Sequence, residues 1–190
     1  MWIWIIIIGV LVLLVIGLFN SLVGSRNRVD EAWSDIEVQL KRRYDLIPNL
    51  VETVKGYAAH ERGTLDEVVA ARSKATSITM DPAKVNAEQM QKFQAAQGEL
   101  STAIGRLFAL AENYPDLKAN QNFLNLQSNL TDTEDKIQAS RRFYNGNVRD
   151  YNTKLQVFPT NIFASLFHFT KREFFGLDEA VEGQAPKVQF

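Results

Sequence analysis

Two histidines are all the imidazole this 190-residue chain offers, and one of them, His60, is followed directly by Glu61. A zinc site of the His-Glu-x-x-His type needs a second histidine four residues on, so that both ligands leave one face of a helix and the glutamate can act as base. Here Arg62-Gly63-Thr64 follow and the second ligand is missing; His168 lies far along the chain. There are no cysteines, which removes thiolate metal sites, disulfides and a cysteine nucleophile together. Only carboxylates are left, and Glu52, His60, Glu61 and Glu134 would have to converge. Di-metal helical bundles do this with Glu-x-x-His motifs, of which there are none, and no glycine-rich phosphate loop or nucleophile elbow is present either. The residues therefore predict no enzyme, no catalytic or metal-ligating residue and no cofactor; a carboxylate-based metal-dependent enzyme is the outlying alternative.

The remaining charges read as structure. In "KRRYDLIPNLVETVKGYAAHE", residues 41–61, the spacing places Arg42 and Arg43 in the last turn of one helix, with Asp45 capping a second that Pro48 begins. Further on, Phe123, Leu130, Ile137, Tyr144, Tyr151 and Phe158 recur every seven residues, as in a coiled-coil seam. The companion positions include Glu134 and Arg141, about 10 Å apart along one helix and so in need of partners from other helices. Arg42, Arg43, Asp45, Glu134 and Arg141 are the expected polar network.

The elements that must position these residues begin with "MWIWIIIIGVLVLLVIGLFN", uncharged and long enough to cross a bilayer. No basic residue precedes it and Leu22-Val23-Gly24 follow, which predicts an uncleaved anchor with Trp2 and Trp4 at one interface. Arg26 and Arg28 directly after the span place the rest of the chain in the cytoplasm and the N-terminus outside. Apolar residues then recur at three and four (Val29, Ala32, Trp33, Ile36, Leu40), a helix continuous with the span. Further helices are expected up to Asp81-Pro82, from about Ala83 to Asn113, and from Asp116 to Val157 with a bend at Asn145-Gly146-Asn147. Gly98 and Gly105, seven apart in the third, call for a closely packed neighbour.

The fold class is thus all-α: a single transmembrane helix (1–24) running into an antiparallel up-and-down four-helix bundle (25–158), then a short amphipathic C-terminal segment (159–190). Such a bundle returns its fourth helix to the bilayer, where Phe163, Leu166, Phe167 and Phe169 with Lys171 and Arg172 form a membrane-interface helix; the competing reading has these phenylalanines cap the bundle's open end or meet a neighbouring subunit. A net charge of −1 gives no pull toward nucleic acid.

The blocks "VDEAWSDIEVQLKRRYDLIPNLVETVKGYAAHE", "LDEVVAARS", "YPDLKANQNFLNLQSNLTDTEDKIQASRRFYNGNVRDYN" and "FPTNIFASLFHFTKREFF", in this order behind a membrane helix, resemble the bacterial LemA family over nearly the whole chain. The resemblance implies an antiparallel four-helix bundle on one anchor with the short N-terminus outside, no established enzymatic activity, and relatives associated with membrane organisation, including in magnetosome-forming bacteria. The function expected is a scaffold or adaptor at the bacterial cytoplasmic (inner) membrane. Its expected partners are membrane lipids, other membrane or cytoplasmic proteins and further copies of itself. The alternative is a lipid- or peptide-binding module at the membrane surface.

Overall fold

The computed structural model describes residues 2–58 and 60–176; the tail from Leu177 to Phe190, part of the expected C-terminal segment, lies outside the described residues. Six helices follow in order: α1 (Trp2–Lys55), α2 (Arg62–Ser77), α3 (Ala87–Ala111), α4 (Pro115–Lys118), α5 (Gln121–Lys154) and α6 (Thr160–Leu166). The fold is all-α.

α1 is a single helix of 54 residues that runs straight through Pro48, so the corner expected there is absent. Arg42, Arg43 and Asp45 consequently lie inside a helix; Asp45 caps nothing and is exposed. The reason is the buried stripe. Ile36, Leu40, Arg43, Ile47, Leu50 and Val54 alternate in steps of four and three without a skip, and breaking the helix at Pro48 would take Leu50 and Val54 out of the core. Proline leaves one carbonyl without its helical donor, here that of Tyr44, four residues earlier. Arg72 of α2 donates its Nε–H to that oxygen at 2.9 Å. A side chain from the next helix thus replaces the lost backbone bond. The chain turns instead at Gly56–Glu61, where Ala58 N still bonds Val54 O at 2.8 Å.

α3 starts at a capping box in which the Asn86 side chain accepts from Gln89 N while the Gln89 side chain accepts from Asn86 N. It begins later than the Ala83 expected, and α4 separates it from α5. Gly98 and Gly105 do not face a close neighbour: a Cβ on either would meet nothing within 4 Å.

Contacts along the chain give the direction of each element. α2 runs back along α1, and the loop after it reaches Asp30's level, where Arg172 bonds both Pro82 O and Asp30. α3 runs outward again, passing Trp33 with Phe93 and Arg43 with Gln97, and its end meets the α1–α2 turn where Tyr114 donates to Glu61 at 2.8 Å. α5 returns: Glu134 reaches Arg43, Tyr144 packs edge-on to Trp33 at 5.4 Å, and Lys154 bonds Ser21 and Ser25. α1, α2, α3 and α5 therefore alternate in direction.

Two apolar clusters fill the interior. The outer holds Ile47, Leu50, Val54, Leu100, Leu107 and Phe123 among others; the inner, nearer the apolar end of α1, is built on Val29, Trp33, Ile36, Phe93, Ile137 and Tyr144. The heptad stripe of α5 is buried from Phe123 to Tyr151 and then stops: Phe158 lies past the helix end and is 78% exposed. α5 stays helical through Asn145-Gly146-Asn147.

Candidate functional site

Between the two clusters lies one polar layer. Arg43, 1% exposed, sits between Leu40 and Ile47 on α1; Gln97 and Ser101 come from α3, and Glu134 from α5. The Arg43 guanidinium donates to Glu134 at 2.9 Å, to Ser101 Oγ at 3.1 Å and to the Gln97 carbonyl oxygen. Gln97 in turn donates to the Tyr44 hydroxyl at 2.6 Å, and Ser101 donates to the other Glu134 oxygen at 3.1 Å. Burial pushes the Tyr44 phenol above its ordinary range, against the pull of Gln97 and Arg43. Three helices are thereby held in one axial register, because sliding any of them breaks several charge-assisted bonds at once.

The other expected members of the network sit elsewhere. Arg42 pairs with Asp132 at 3.7 Å on the surface, a contact worth little in water. Asp45 has no ion pair among the described residues. Arg141, expected to find an acid on a neighbouring helix, instead sits over the Phe175 ring, its guanidinium carbon 4.6 Å from the centroid. Gly176, at φ +78, leaves room there, since a Cβ would collide with the Arg141 guanidinium. Burial pushes the Arg141 guanidinium down, partly offset by Glu134, while Arg43 adds to the lowering.

Phe175 belongs to a strap, residues 169–176, which accords with the reading in which phenylalanines of this segment cap the bundle's open end, although its course along α5 was not expected. After α6 the chain reverses and climbs along α5, burying Phe175 against Trp33 and Phe93. Two Tyr-Asn pairs hold it. Asn152 grips Arg172 by both its N–H (3.0 Å) and C=O (2.9 Å), and Asn145 grips Phe175 in the same way (2.9 and 2.8 Å). Tyr151 donates to Thr170 O at 3.0 Å and Tyr144 to Glu173 O at 2.9 Å. The match is metric: seven helical residues rise about 10.5 Å, and three extended residues cover about 10 Å. A repeat of seven on α5 therefore serves a repeat of three on the strap.

Arg172, expected to face lipid head groups, is 7% exposed and is bonded to Asp30 at 3.0 Å and to Pro82 O at 3.0 Å. It ties strap, α1 and the α2–α3 loop together and is not available at the surface. Of the other residues expected at a membrane interface, Trp2 and Trp4 are exposed at the free end of α1, Leu166, Phe167 and Lys171 are exposed, and Phe163 and Phe169 are half-buried. Phe167 and Phe169 stack edge-on against Phe19 at 4.9 and 5.9 Å. Ile162 and Phe158, missed in the sequence, are more exposed than either half-buried phenylalanine.

The first turns of α1 contain an 18-residue window of mean hydropathy 3.1, none of it buried. A helix stretch this apolar and unburied is long enough to cross a bilayer, a candidate membrane span. Among the described residues no three His, Asp or Glu side chains are grouped to hold a metal; His60 is exposed and Glu61 is engaged by Tyr114. A groove of about 440 Å³ opens between α1 and the α2–α3 connection, lined by Trp33, Leu40, Tyr44, Ile78, Met80 and Phe93.

A membrane-associated helical protein with a register-locked core is the class these features define. The family model of the LemA family matches residues 32–190, and the chain belongs to that family. Among curated proteins it is similar to Protein LemA of Metamycoplasma hominis, 29% identical over 161 residues that cover 85% of this chain and 70% of the relative. It is also similar to Magnetosome protein MamQ 2 of Paramagnetospirillum magneticum and Magnetosome protein MamQ of Magnetospirillum gryphiswaldense. Each is 25% identical over 187 residues, covering 90% of this chain and 68% of the relative.

Proposed function

We propose that this protein is a non-catalytic scaffold of the bacterial cytoplasmic membrane, holding a rigid helical bundle at a fixed attitude on the cytoplasmic side and presenting its flanks to protein partners. The observation that carries this reading is the unbroken α1: one helix is both the exposed apolar span and a wall of the bundle, with no linker between them. A flexible tether needs a composition that resists order, whereas a continuous helix transmits orientation. Arg26 and Arg28, just past the span, favour a cytoplasmic bundle. The relatives that are magnetosome proteins are compatible with a structural rather than a catalytic role. A peptide-binding variant of the reading has the apolar groove beside Trp33 in its favour.

The test is proximity labelling in the native cell, from the bundle on its own span and from an unrelated helical bundle grafted onto the same span. A scaffold enriches a set of proteins that the graft does not; identical sets from both would refute it. Elemental analysis of the purified protein checks the non-catalytic part, and stoichiometric zinc, iron or manganese would overturn it.

A further inference from the structure

α6 and the residues beside it carry apolar side chains that nothing among the described residues covers. Phe158 is 78% exposed, Ile162 55%, Leu166 64% and Phe167 44%. Ile162 and Leu166, four apart, share one face of α6, while Thr160 and Ala164 on the opposite face are buried against the bundle. What lies opposite that exposed face follows from where α6 is fixed. Phe167 and Phe169 pack on Phe19, and Phe19 is at the end of the exposed apolar stretch of α1. From Trp2 to Phe19 the helix rises about 26 Å, close to the roughly 30 Å of a bilayer's hydrocarbon, so Phe19 sits at the boundary between acyl chains and head groups. Any element clamped to Phe19 is at the same depth. The charges nearby agree with that placement: Arg26 stands over the Phe169 ring at 5.5 Å, Lys154 is anchored between Ser21 and Ser25, and Lys171 is exposed. The first acid after the span, Asp30, is already paired with Arg172.

We propose that Phe158, Ile162, Leu166 and Phe167 form a second membrane foothold, dipping into the interface of an anionic bilayer beside the span, with Arg26, Lys154 and Lys171 above them at the level of the lipid phosphates. One helix crossing a membrane can rotate about its axis and change its tilt; a second apolar contact on one side of it fixes both. The foothold selects a lipid surface as partner and gives the bundle a defined face toward the membrane. It rests on the reading of α1 as a span, and the experiment separates the two.

The chain has no cysteine, so a single introduced one is unique. Full-length variants Ile162→Cys and Leu166→Cys, each labelled with a small environment-sensitive fluorophore, are reconstituted into phosphatidylcholine–phosphatidylglycerol vesicles. Leu11→Cys in the span and Phe143→Cys, an exposed apolar position on the flank of α5, are the references. The expected result is that labels at 162 and 166 are quenched by doxyl-labelled lipid and shielded from iodide, as at 11, whereas the label at 143 shows the reverse. A span confirmed at 11 with iodide-accessible labels at 162 and 166 overturns the foothold alone. Shielding from iodide without lipid quenching, lost when the protein is diluted into excess vesicles, assigns the face to a second copy of the chain and also overturns it. Absence of lipid quenching at 11 overturns the span and the foothold together.

Discussion

At the scale of single residues, burial decides which charges matter. Arg43 is almost wholly enclosed and is bonded to groups on two other helices, so truncating it strands Glu134 and Gln97 beside a void. Arg43→Ala is expected to cost about 2–4 kcal/mol through the void and the lost hydrogen bonds, while Arg43→Met combined with Glu134→Gln regains much of that loss by refilling the void. Thermal unfolding in detergent, followed by circular dichroism, measures both. The exposed pair of Arg42 with Asp132 predicts a change under about 1 kcal/mol for Arg42→Ala. The tyrosines give a pH signature. Burial pushes the Tyr144 and Tyr151 phenols above their ordinary range, so the folded state favours the protonated form. That contribution is complete below the unfolded value, about pH 10, and is lost as pH rises past it toward the folded values. Tyr144→Phe should lower stability at pH 7 by about 1 kcal/mol, for the lost bond to Glu173 O, yet flatten the alkaline decline. Melting temperatures between about pH 8 and pH 11 show whether the two curves converge.

At the scale of elements, the long stripes were readable and their interruptions were not. Hydrophobic period alone placed Trp33, Ile36, Leu40 on α1 and Phe123 to Tyr151 on α5, because each side chain in those stripes is buried as the spacing requires. Pro48 misled because a proline's local cost was weighed without the stripe that continues through it, and because the compensating donor, Arg72, is distant in sequence. A double-mutant cycle tests that compensation. Arg72→Ala should cost about 1–2 kcal/mol in the parent and distinctly less in a Pro48→Ala background, where an alanine N–H can reach the Tyr44 carbonyl. An equal cost in both backgrounds would show that Arg72 contributes through packing alone. The strap was legible only as one alternative, phenylalanines capping the bundle's open end, and its path was not, because extended segments held by side chains carry no period of their own. Its one sequence trace is the Tyr-Asn pair at 144–145 repeated at 151–152, which makes sense only once a partner with a three-residue repeat is known. Asn152→Ala removes both bonds to Arg172 and should release the strap, seen as faster limited proteolysis between Phe167 and Gly176 while α5 stays protected. Arg172 shows the same limit, since a Lys-Arg pair after phenylalanines reads as a membrane signal until Asp30 is found beside the arginine.

At the scale of the whole molecule, the proposed function has the apolar stretch of α1, the polar layer and the strap act on one property, the fixed relation between bundle and membrane. In that reading α1 carries orientation away from its apolar end, the Arg43 layer locks the register of α3 and α5 against it, and the strap closes the end of the bundle nearest the apolar stretch. The candidate site was legible in part: Glu134 stood out as a charge on an apolar seam and Arg43 was expected in the network as a cation at a helix end, but Gln97 and Ser101 were not, because small polar residues on a helix face look solvated until another helix covers them. A bundle held this way is expected to face the cytoplasm, and the cysteine-free background makes that directly measurable. Glu67→Cys places a thiol on the exposed side of α2, away from the membrane and from the polar layer. In intact cells and right-side-out spheroplasts, a membrane-impermeant maleimide should leave this thiol unmodified, and modification should appear only after permeabilisation, with the protein remaining in the carbonate-washed membrane pellet. Modification in intact cells, or release of the protein by carbonate, would contradict a cytoplasmic bundle mounted on a membrane span.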